Sequence, residues 1–411
     1  PPGEVPADLL SALVSVEPGT GAVKAMYGGR DYTTRFINDA IDNPRQPGSS
    51  FKPIVLAAAI EEGIGLRSRY DGSSPQEFPG REKPVSNYGD SDDSFGHIDL
   101  VEATAKSVNT VYYRLALDAG TRNVIDLAHR VGVPSADQSD VGLRHPVKLR
   151  SEGGLGLGES EVHVLDQAVA FSTFAAEGKA AAPYLIQRVV DREGEVVFKA
   201  ERKVDAAALD ADIAADVTFA MQQVVERGTA TAARLDGRPA AGKTGTTQNN
   251  ADAWFVGFTP QLSTAVWMGF DKPKEKQLKD IRGRDVTGGS FPAQIFKRFM
   301  DGALQGKPVK GFPEPQYVGK EKNGRPTSTR TAAPSPTSSL PTLPTTAPTG
   351  EVSQSPEQSP SVVVVEPSPS EQSQSPEPQP SQSPDPPPSE PPPSSSPSPQ
   401  GDKRADPSPT P

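Results

Sequence analysis

The sequence predicts an α+β fold: an antiparallel sheet flanked by helices, with strands drawn from both ends of a foldable body and a helical subdomain between them. Three observations carry this. Strand-like patterns are confined to the start of the chain and to residues 240–270, helical patterns fill the middle, and the composition breaks after residue 325. Of 45 Pro in 411 residues, 25 lie in 326–411, where 3 basic residues face 9 acidic ones. The preceding residues hold 39 Lys/Arg and 43 Asp/Glu, a nearly balanced set on a stretch long enough to bury a sizeable core. The tail offers few apolar or aromatic groups to offset the entropy of ordering its backbone. The expected organisation is therefore a folded domain over 1–320 and a disordered Pro/Ser-rich acidic tail over 321–411, with local polyproline II and one apolar island, Val362 to Val365.

Taken in order, Leu9 to Glu17 and Ala22 to Gly28 read as paired strands around the turn Pro18-Gly19-Thr20-Gly21. Phe51 to Gly63 is apolar on nearly every side and suits a buried helix closed by Gly63. Residues 64–98, rich in Gly, Ser, Asp and Pro, form a long irregular connection of the kind that often carries function. Helices follow at Asp99 to Ala105, Thr110 to Ala119 and Arg122 to Val131, with Ser107-Val108-Asn109 as a tight turn between the first two. Glu161 to Glu177, capped by Gly158-Glu159-Ser160, and Asp210 to Arg227 complete the helical cluster. Ala240 to Thr247, Ala253 to Thr259 and Leu262 to Phe270 then read as consecutive antiparallel strands, and Phe291 to Leu304 as a closing amphipathic helix.

Composition excludes several functions. The mildly acidic balance lacks the broad basic field that attracts nucleic acid. With no Cys, disulfides, thiolate catalysis and cysteine metal sites all fall away. The four His, at 97, 129, 145 and 163, form no metal-binding motif, so no metal or other cofactor is expected. No apolar run approaches the roughly 20 residues that span a bilayer. The start at Pro1, without Met or a signal-like stretch, suggests a longer parent chain, in which any targeting segment or membrane anchor would lie upstream.

The strongest chemical signal is Gly48-Ser49-Ser50-Phe51-Lys52-Pro53, which puts a Ser and a Lys on one face at the start of a helix. A Lys whose pKa is lowered by burial can take the proton of a Ser hydroxyl, and the helix N-terminus suits a developing oxyanion. This is the only Ser-x-x-Lys in the chain, yet alone it reads better as a helix cap and a solvated charge. Ser50 is a poorer nucleophile candidate, because Pro53 stands three residues on. Downstream come Ser107-Val108-Asn109 and, on a predicted strand, Ala241-Gly242-Lys243-Thr244-Gly245-Thr246-Thr247. Taken singly, Ser107 and Asn109 are also common turn formers, Lys243 a possible edge charge and Gly245 a possible bulge. Trp254 and Trp267 read as core or groove-wall aromatics, and Asp252 as a residue that orients a loop.

Together, in this order and in these contexts, the three elements resemble the Ser-x-x-Lys, Ser-x-Asn and Lys-Thr-Gly set of penicillin-binding proteins and serine β-lactamases. The runs Arg45-Gln46-Pro47-Gly48-Ser49, Arg227-Gly228-Thr229-Ala230 and Asp252-Ala253-Trp254-Phe255-Val256-Gly257-Phe258-Thr259-Pro260 look like those of the transpeptidase domain of class A, bifunctional members. The resemblance extends from about Leu10 to Tyr317. Asn38-Asp39-Ala40 departs from it, since family members often carry a basic residue in the middle position.

The resemblance implies the penicillin-binding-protein transpeptidase fold. It implies that Ser49 forms an acyl-enzyme with a peptidoglycan stem peptide, releasing D-alanine, and that an amine of a second stem peptide resolves it. By the same token Lys52 is the base and Ser107 a proton relay. Asn109 would bind the substrate amide; Lys243, Thr244, Gly245 and Thr246 would hold its carboxylate end, with the N–H groups of Ser49 and Thr246 as the oxyanion hole. The implied ligands are donor and acceptor stem peptides and β-lactams; the implied place is the extracytoplasmic face of the bacterial membrane; cell-wall or protein partners would belong to the tail. Two alternatives remain at this stage, a D-alanyl-D-alanine carboxypeptidase and a sensor that is acylated without turnover. A Glu-dependent β-lactamase needs Glu four residues before an Asn between the second and third motifs. Asn123 is the only Asn there, and Ala119 precedes it by four.

Overall fold

A computed structural model describes residues 5–88, 93–137 and 145–323. Of the tail expected to be disordered over 321–411, residues 324–411, with the apolar island, lie outside these residues. Two N-terminal strands, β1 (Leu10–Val16) and β2 (Val23–Tyr27), are joined by the expected turn. A single 3-10 turn, Gly48–Phe51, runs directly into α1 (Lys52–Glu61). Within the long connection, β3 (Arg69–Asp71) pairs with β4 (His97–Asp99). Then come α2 (Leu100–Lys106), α3 (Asn109–Ala119), α4 (Thr121–Arg130) and α5 (Val164–Ala175). Four short strands that sequence patterning had not marked follow: β5 (Ala180–Ala181), β6 (Arg188–Val190), β7 (Val196–Lys199) and β8 (Val204–Asp205). They make two small two-stranded sheets, β5 with β8 and β6 with β7. The chain closes with α6 (Ala211–Glu226), β9 (Ala241–Thr246), β10 (Asp252–Thr259), β11 (Leu262–Gly269) and α7 (Phe291–Ala303).

The main sheet has the order β2-β1-β11-β10-β9, antiparallel throughout, so it does join both ends of the body. Strands β10 and β11 are buried at every position because each face has its own cover. Trp254, Val256, Phe258, Ala265 and Trp267 share one core with the helical cluster, while Phe255, Leu262 and Val266 pack with Phe296 and Met300 of α7. That alternation is the period of two expected of a strand. Helix α1 is apolar all round and buried from Lys52 to Ile60, so it runs through the interior with α3, α4 and α6 around it. Each Ile, Val or Leu buried there contributes about 1.5–3 kcal/mol.

Two expectations are corrected. The helix expected from Glu161 begins at Val164, where the His163 N–H donates to the Asp166 carboxylate at 2.9 Å and closes the first turn. Gly158-Glu159-Ser160 is therefore not its cap; Gly158 and Glu159 line the cleft described below. The body also continues past residue 320: Lys320 and Lys322 exchange backbone hydrogen bonds with Gly63, Gly65 and Arg69, as an added strand would. Just before, the Asp216 carboxylate of α6 accepts from the N–H groups of Gln316, Tyr317 and Val318, each at 2.7 Å, and straps this segment to the helices.

Candidate active site

The three motif elements meet along one cleft of about 920 Å³ whose wall includes Ser49, Asn109 and Thr246. Edge strand β9 lies on one side, the turn between α2 and α3 on another, and the 3-10 turn preceding α1 at the base.

Ser49 sits partly exposed in that 3-10 turn, while Ser50 is fully buried with its hydroxyl donating to Pro47 O at 2.8 Å. The turn is fixed from three sides. Gly48 donates its N–H to Gly158 O at 3.2 Å, and the Trp254 indole donates to Gln46 O at 2.8 Å. From β9, Gly245 comes so close that a Cβ on it would overlap Pro47 O. A Cβ on Gly48, whose φ is +54°, would lie 3.1 Å from Thr246 O, so the backbone beside Ser49 is in contact with that of Thr246. Gly245 is thus a close-approach glycine rather than a bulge, and no register shift interrupts the β9–β10 pairing.

Lys52 opens α1 and is completely buried. Its Nζ donates to Ser107 O at 2.7 Å and Asn109 Oδ1 at 2.8 Å, with Ser107 Oγ at 3.4 Å; it makes no hydrogen bond to Ser49. The Tyr112 ring lies 5.1 Å from the ammonium. Burial, and then the neighbouring Lys243, hold the Lys52 pKa well below the ordinary lysine value.

Lys243 is equally buried and is no edge charge. Its Nζ donates to Ser107 Oγ at 2.8 Å and Thr244 O at 3.0 Å, and burial lowers its pKa to about 7. The Thr244 hydroxyl shares a 2.7 Å hydrogen bond with that of Thr229, and Thr246 Oγ1 accepts from the Gly288 N–H at 3.1 Å. Ser107 is held between the two lysines by an unusual backbone, φ 60° and ψ 39°, in the left-handed region that non-glycine residues rarely occupy. That conformation ends α2 and lets Asn109, one residue earlier than the pattern suggested, begin α3.

Sequence reasoning missed the groups that complete the cleft from residues 81–88, because no periodicity marks them. Asn109 Nδ2 donates to Ser86 O at 2.9 Å, and Asn87 Oδ1 accepts from the Asn109 and Thr110 N–H groups. Arg81, packed over Tyr113, pairs with Glu159 at 2.8 Å across the cleft wall. The loop-orienting reading of Asp252 fits its contacts. It accepts from the Trp267 indole at 3.0 Å and from the Thr247 hydroxyl at 3.2 Å, and its own N–H donates to Thr247 Oγ1 at 2.8 Å. Trp254 and Trp267 are core residues with no exposed surface.

Among the described residues no group of three or more His, Asp or Glu is arranged to hold a metal ion, and no helix is long and apolar enough to cross a membrane. Residues 11–301 match the model of the penicillin binding protein transpeptidase domain. The chain is 37% identical to penicillin-binding protein 1A of Mycolicibacterium smegmatis over 88% of its own length and 44% of the relative's. It is 39% identical to penicillin-binding protein 1A of Mycobacterium tuberculosis over 76% and 38%. It thus spans less than half the length of these relatives. Among solved structures, the M. tuberculosis PonA1 protein in complex with penicillin V matches with a TM-score of 0.65 and 36% identity, over 78% of this chain and 85% of that one. The order of the three motifs, their meeting in one cleft and these likenesses converge: the chain belongs to the penicillin-binding-protein transpeptidase domain family.

Proposed function

We propose that this domain is a serine D,D-transpeptidase that cross-links peptidoglycan stem peptides through an acyl-enzyme on Ser49. The observation that carries the reading is the convergence of two buried lysines with lowered pKa values on Ser107 Oγ, beside a cleft into which Ser49 opens. No carboxylate is among the hydrogen-bond partners of either lysine, so a neutral amine is available as a base at neutral pH.

In the first half-reaction Ser49 Oγ attacks the carbonyl between the two terminal D-alanines and Lys52 takes the hydroxyl proton. The oxyanion is received by the N–H groups of Ser49 and Thr246, which lie on two backbones in contact. Ser107 delivers a proton to the departing nitrogen, the C–N bond breaks and D-alanine leaves; Lys52, 3.4 Å from Ser107 Oγ, passes the proton it took to Ser107 and is neutral again. In the second half-reaction the amine of another stem peptide attacks the ester, its proton returns to Ser49 through Lys52, and the new amide is the cross-link. Asn109 faces the backbone amide of the donor, while Lys243 with Thr244 and Thr246 receives the terminal carboxylate, Gly245 allowing the approach of strand and nucleophile turn. Binding that carboxylate favours the ammonium form of Lys243 and restores its charge. A β-lactam presents a strained amide to the same nucleophile; its ring nitrogen stays tethered after opening, so the leaving group does not vacate the site. This chemistry places the domain on the extracytoplasmic face of the membrane, where stem peptides are joined. By composition the tail from about residue 324 is an appendage to the catalytic body, so cross-linking is expected without it.

Labelling with a fluorescent penicillin followed by peptide mapping tests the reading. An adduct on Ser49, lost in Ser49→Ala, is expected; labelling that survives this substitution overturns it. Incubation with a donor pentapeptide and a labelled D-amino acid distinguishes exchange from hydrolysis alone, which would mark a carboxypeptidase.

A further inference from the structure

Helix α3 begins at Asn109, and its N-cap residue, Val108, has no side chain able to satisfy the first-turn N–H groups. That work is done from 22 residues away. Asn87 Oδ1 accepts from the Asn109 N–H at 2.9 Å and the Thr110 N–H at 3.1 Å, with Thr110 Oγ1 at 3.4 Å. Asn87 is itself fixed on its other sides. Its Nδ2 donates to Gly72 O at 3.1 Å and Asp93 O at 2.9 Å, and its N–H donates to Ser74 Oγ at 2.9 Å. The preceding residue adds a second grip, since Ser86 O accepts from Asn109 Nδ2. With Nδ2 turned to Ser86, the Asn109 amide oxygen is left facing Lys52 Nζ, at 2.8 Å.

We infer that Asn87 is a positioning residue of the acyl-transfer site, a helix cap supplied by a remote loop that sets Asn109 and, through Asn109 Oδ1, the acceptor shell of Lys52. The inference rests on the reading of Ser49 as nucleophile and Lys52 as base. Without the cap, two N–H groups at the start of α3 lose their acceptor and the first turn is free to fray, taking Asn109 with it. Lys52 then keeps the Ser107 carbonyl and hydroxyl but loses a third oxygen that favours its charged form. The other groups facing Lys52 are the Lys243 ammonium from β9 and the Tyr112 ring from α3. Neither replaces that acceptor.

The test is the second-order rate of acylation of the full chain by a fluorescent penicillin, measured across pH for wild type, Asn87→Ala, Asn87→Asp and Ser49→Ala. Asn87→Ala is expected to acylate at least about tenfold more slowly, with its acid limb moved to lower pH because the Lys52 ammonium has lost an acceptor. A merely structural loss would lower the amplitude and leave the limb in place. Asn87→Asp keeps an oxygen for both N–H groups but turns its other oxygen toward the carbonyls of Gly72 and Asp93, which lose their donor, so it is expected to restore the cap only in part and to acylate faster than Asn87→Ala and more slowly than wild type. Should Asn87→Ala fail to fold, Asn87→Gln, which displaces the amide by one methylene, takes its place with the same expectation. Variants that acylate at the wild-type rate while Ser49→Ala is inert would overturn the positioning role alone, as would an Asn87→Ala that is slow with its acid limb in the wild-type place. A wild-type chain that fails to acylate, or Ser49→Ala that acylates normally, would instead overturn the nucleophile assignment on which the inference stands.

Discussion

Lys243 donates to the hydroxyl of Ser107 at 2.8 Å, across 136 residues of sequence. A strand and an inter-helix turn thereby become parts of one hydrogen-bonded site, and Ser107 Oγ is the atom on which both buried amines bear. Its replacement separates geometry from chemistry. Ser107→Gly removes the hydroxyl and relieves the left-handed backbone, whereas Ser107→Ala removes the hydroxyl and keeps the strain. Both should fold and both should acylate about 10²–10⁴ times more slowly, the usual worth of a positioned acid or base. Stopped-flow fluorescence with a labelled penicillin reads this. A Gly variant as fast as wild type would show that the hydroxyl is dispensable.

The pKa of Lys243, lowered to about 7 from 10.5, makes stability depend on pH. Between those two values the unfolded chain binds more protons than the folded one, so stability rises with pH across the window and is lost as pH falls toward 7. Lys243→Met should therefore raise the melting temperature most at or below neutral pH, with the gain shrinking toward pH 10.5. Thermal melts of the two proteins across this range check the sign. A gain that grows with pH would contradict it.

Gly245→Ala should fail for a local reason. Its Cβ would overlap the carbonyl of Pro47 and would lie 3.1 Å from both Ser50 N and Trp254 Cβ. Either β9 or the turn that carries Ser49 must move. A loss of about 2 kcal/mol or more is expected in denaturant unfolding, in the range of severe steric substitutions, and penicillin labelling should fall in the fraction that remains folded.

Trp254→Phe keeps most of the ring volume and deletes one donor, leaving Gln46 O without its 2.8 Å partner. The expected loss is about 1–3 kcal/mol for an unsatisfied carbonyl. Acylation should also slow, because Gln46 lies three residues before Ser49. Equal rates in the folded protein would mean that Gly158 and Gly245 hold the turn without help.

The strands at both ends, the helices and the motif residues were legible in the sequence because each announces itself locally. Hydrophobic period marks β10 and α7, and short strings of residue types mark Ser49, Ser107 and Lys243. What escaped depends on distance. Asn87 accepts from the start of a helix 22 residues on, Gly158 accepts from a backbone 110 residues earlier, and β6, β7 and β8 are exposed at every position and so show no alternation, while β5 is only two residues long. Lys243 was open to reading as an edge charge because only the packed fold reveals that its side chain has no contact with solvent.

Strand β1 lies inside the sheet, hydrogen-bonded on one side to β2 and on the other to β11, which begins 246 residues after β1 ends. A polypeptide emerging from its N-terminus cannot complete this sheet until β11 has appeared, and loop closure over such a span makes the pairing slow. Ser49 is thus made early but acquires its partners late. A chain interrupted before residue 241 carries Ser49 and Lys52 but lacks the strand that brings Lys243 to Ser107, so reactivity toward penicillin should arise only once nearly the whole body exists, as a late event of folding.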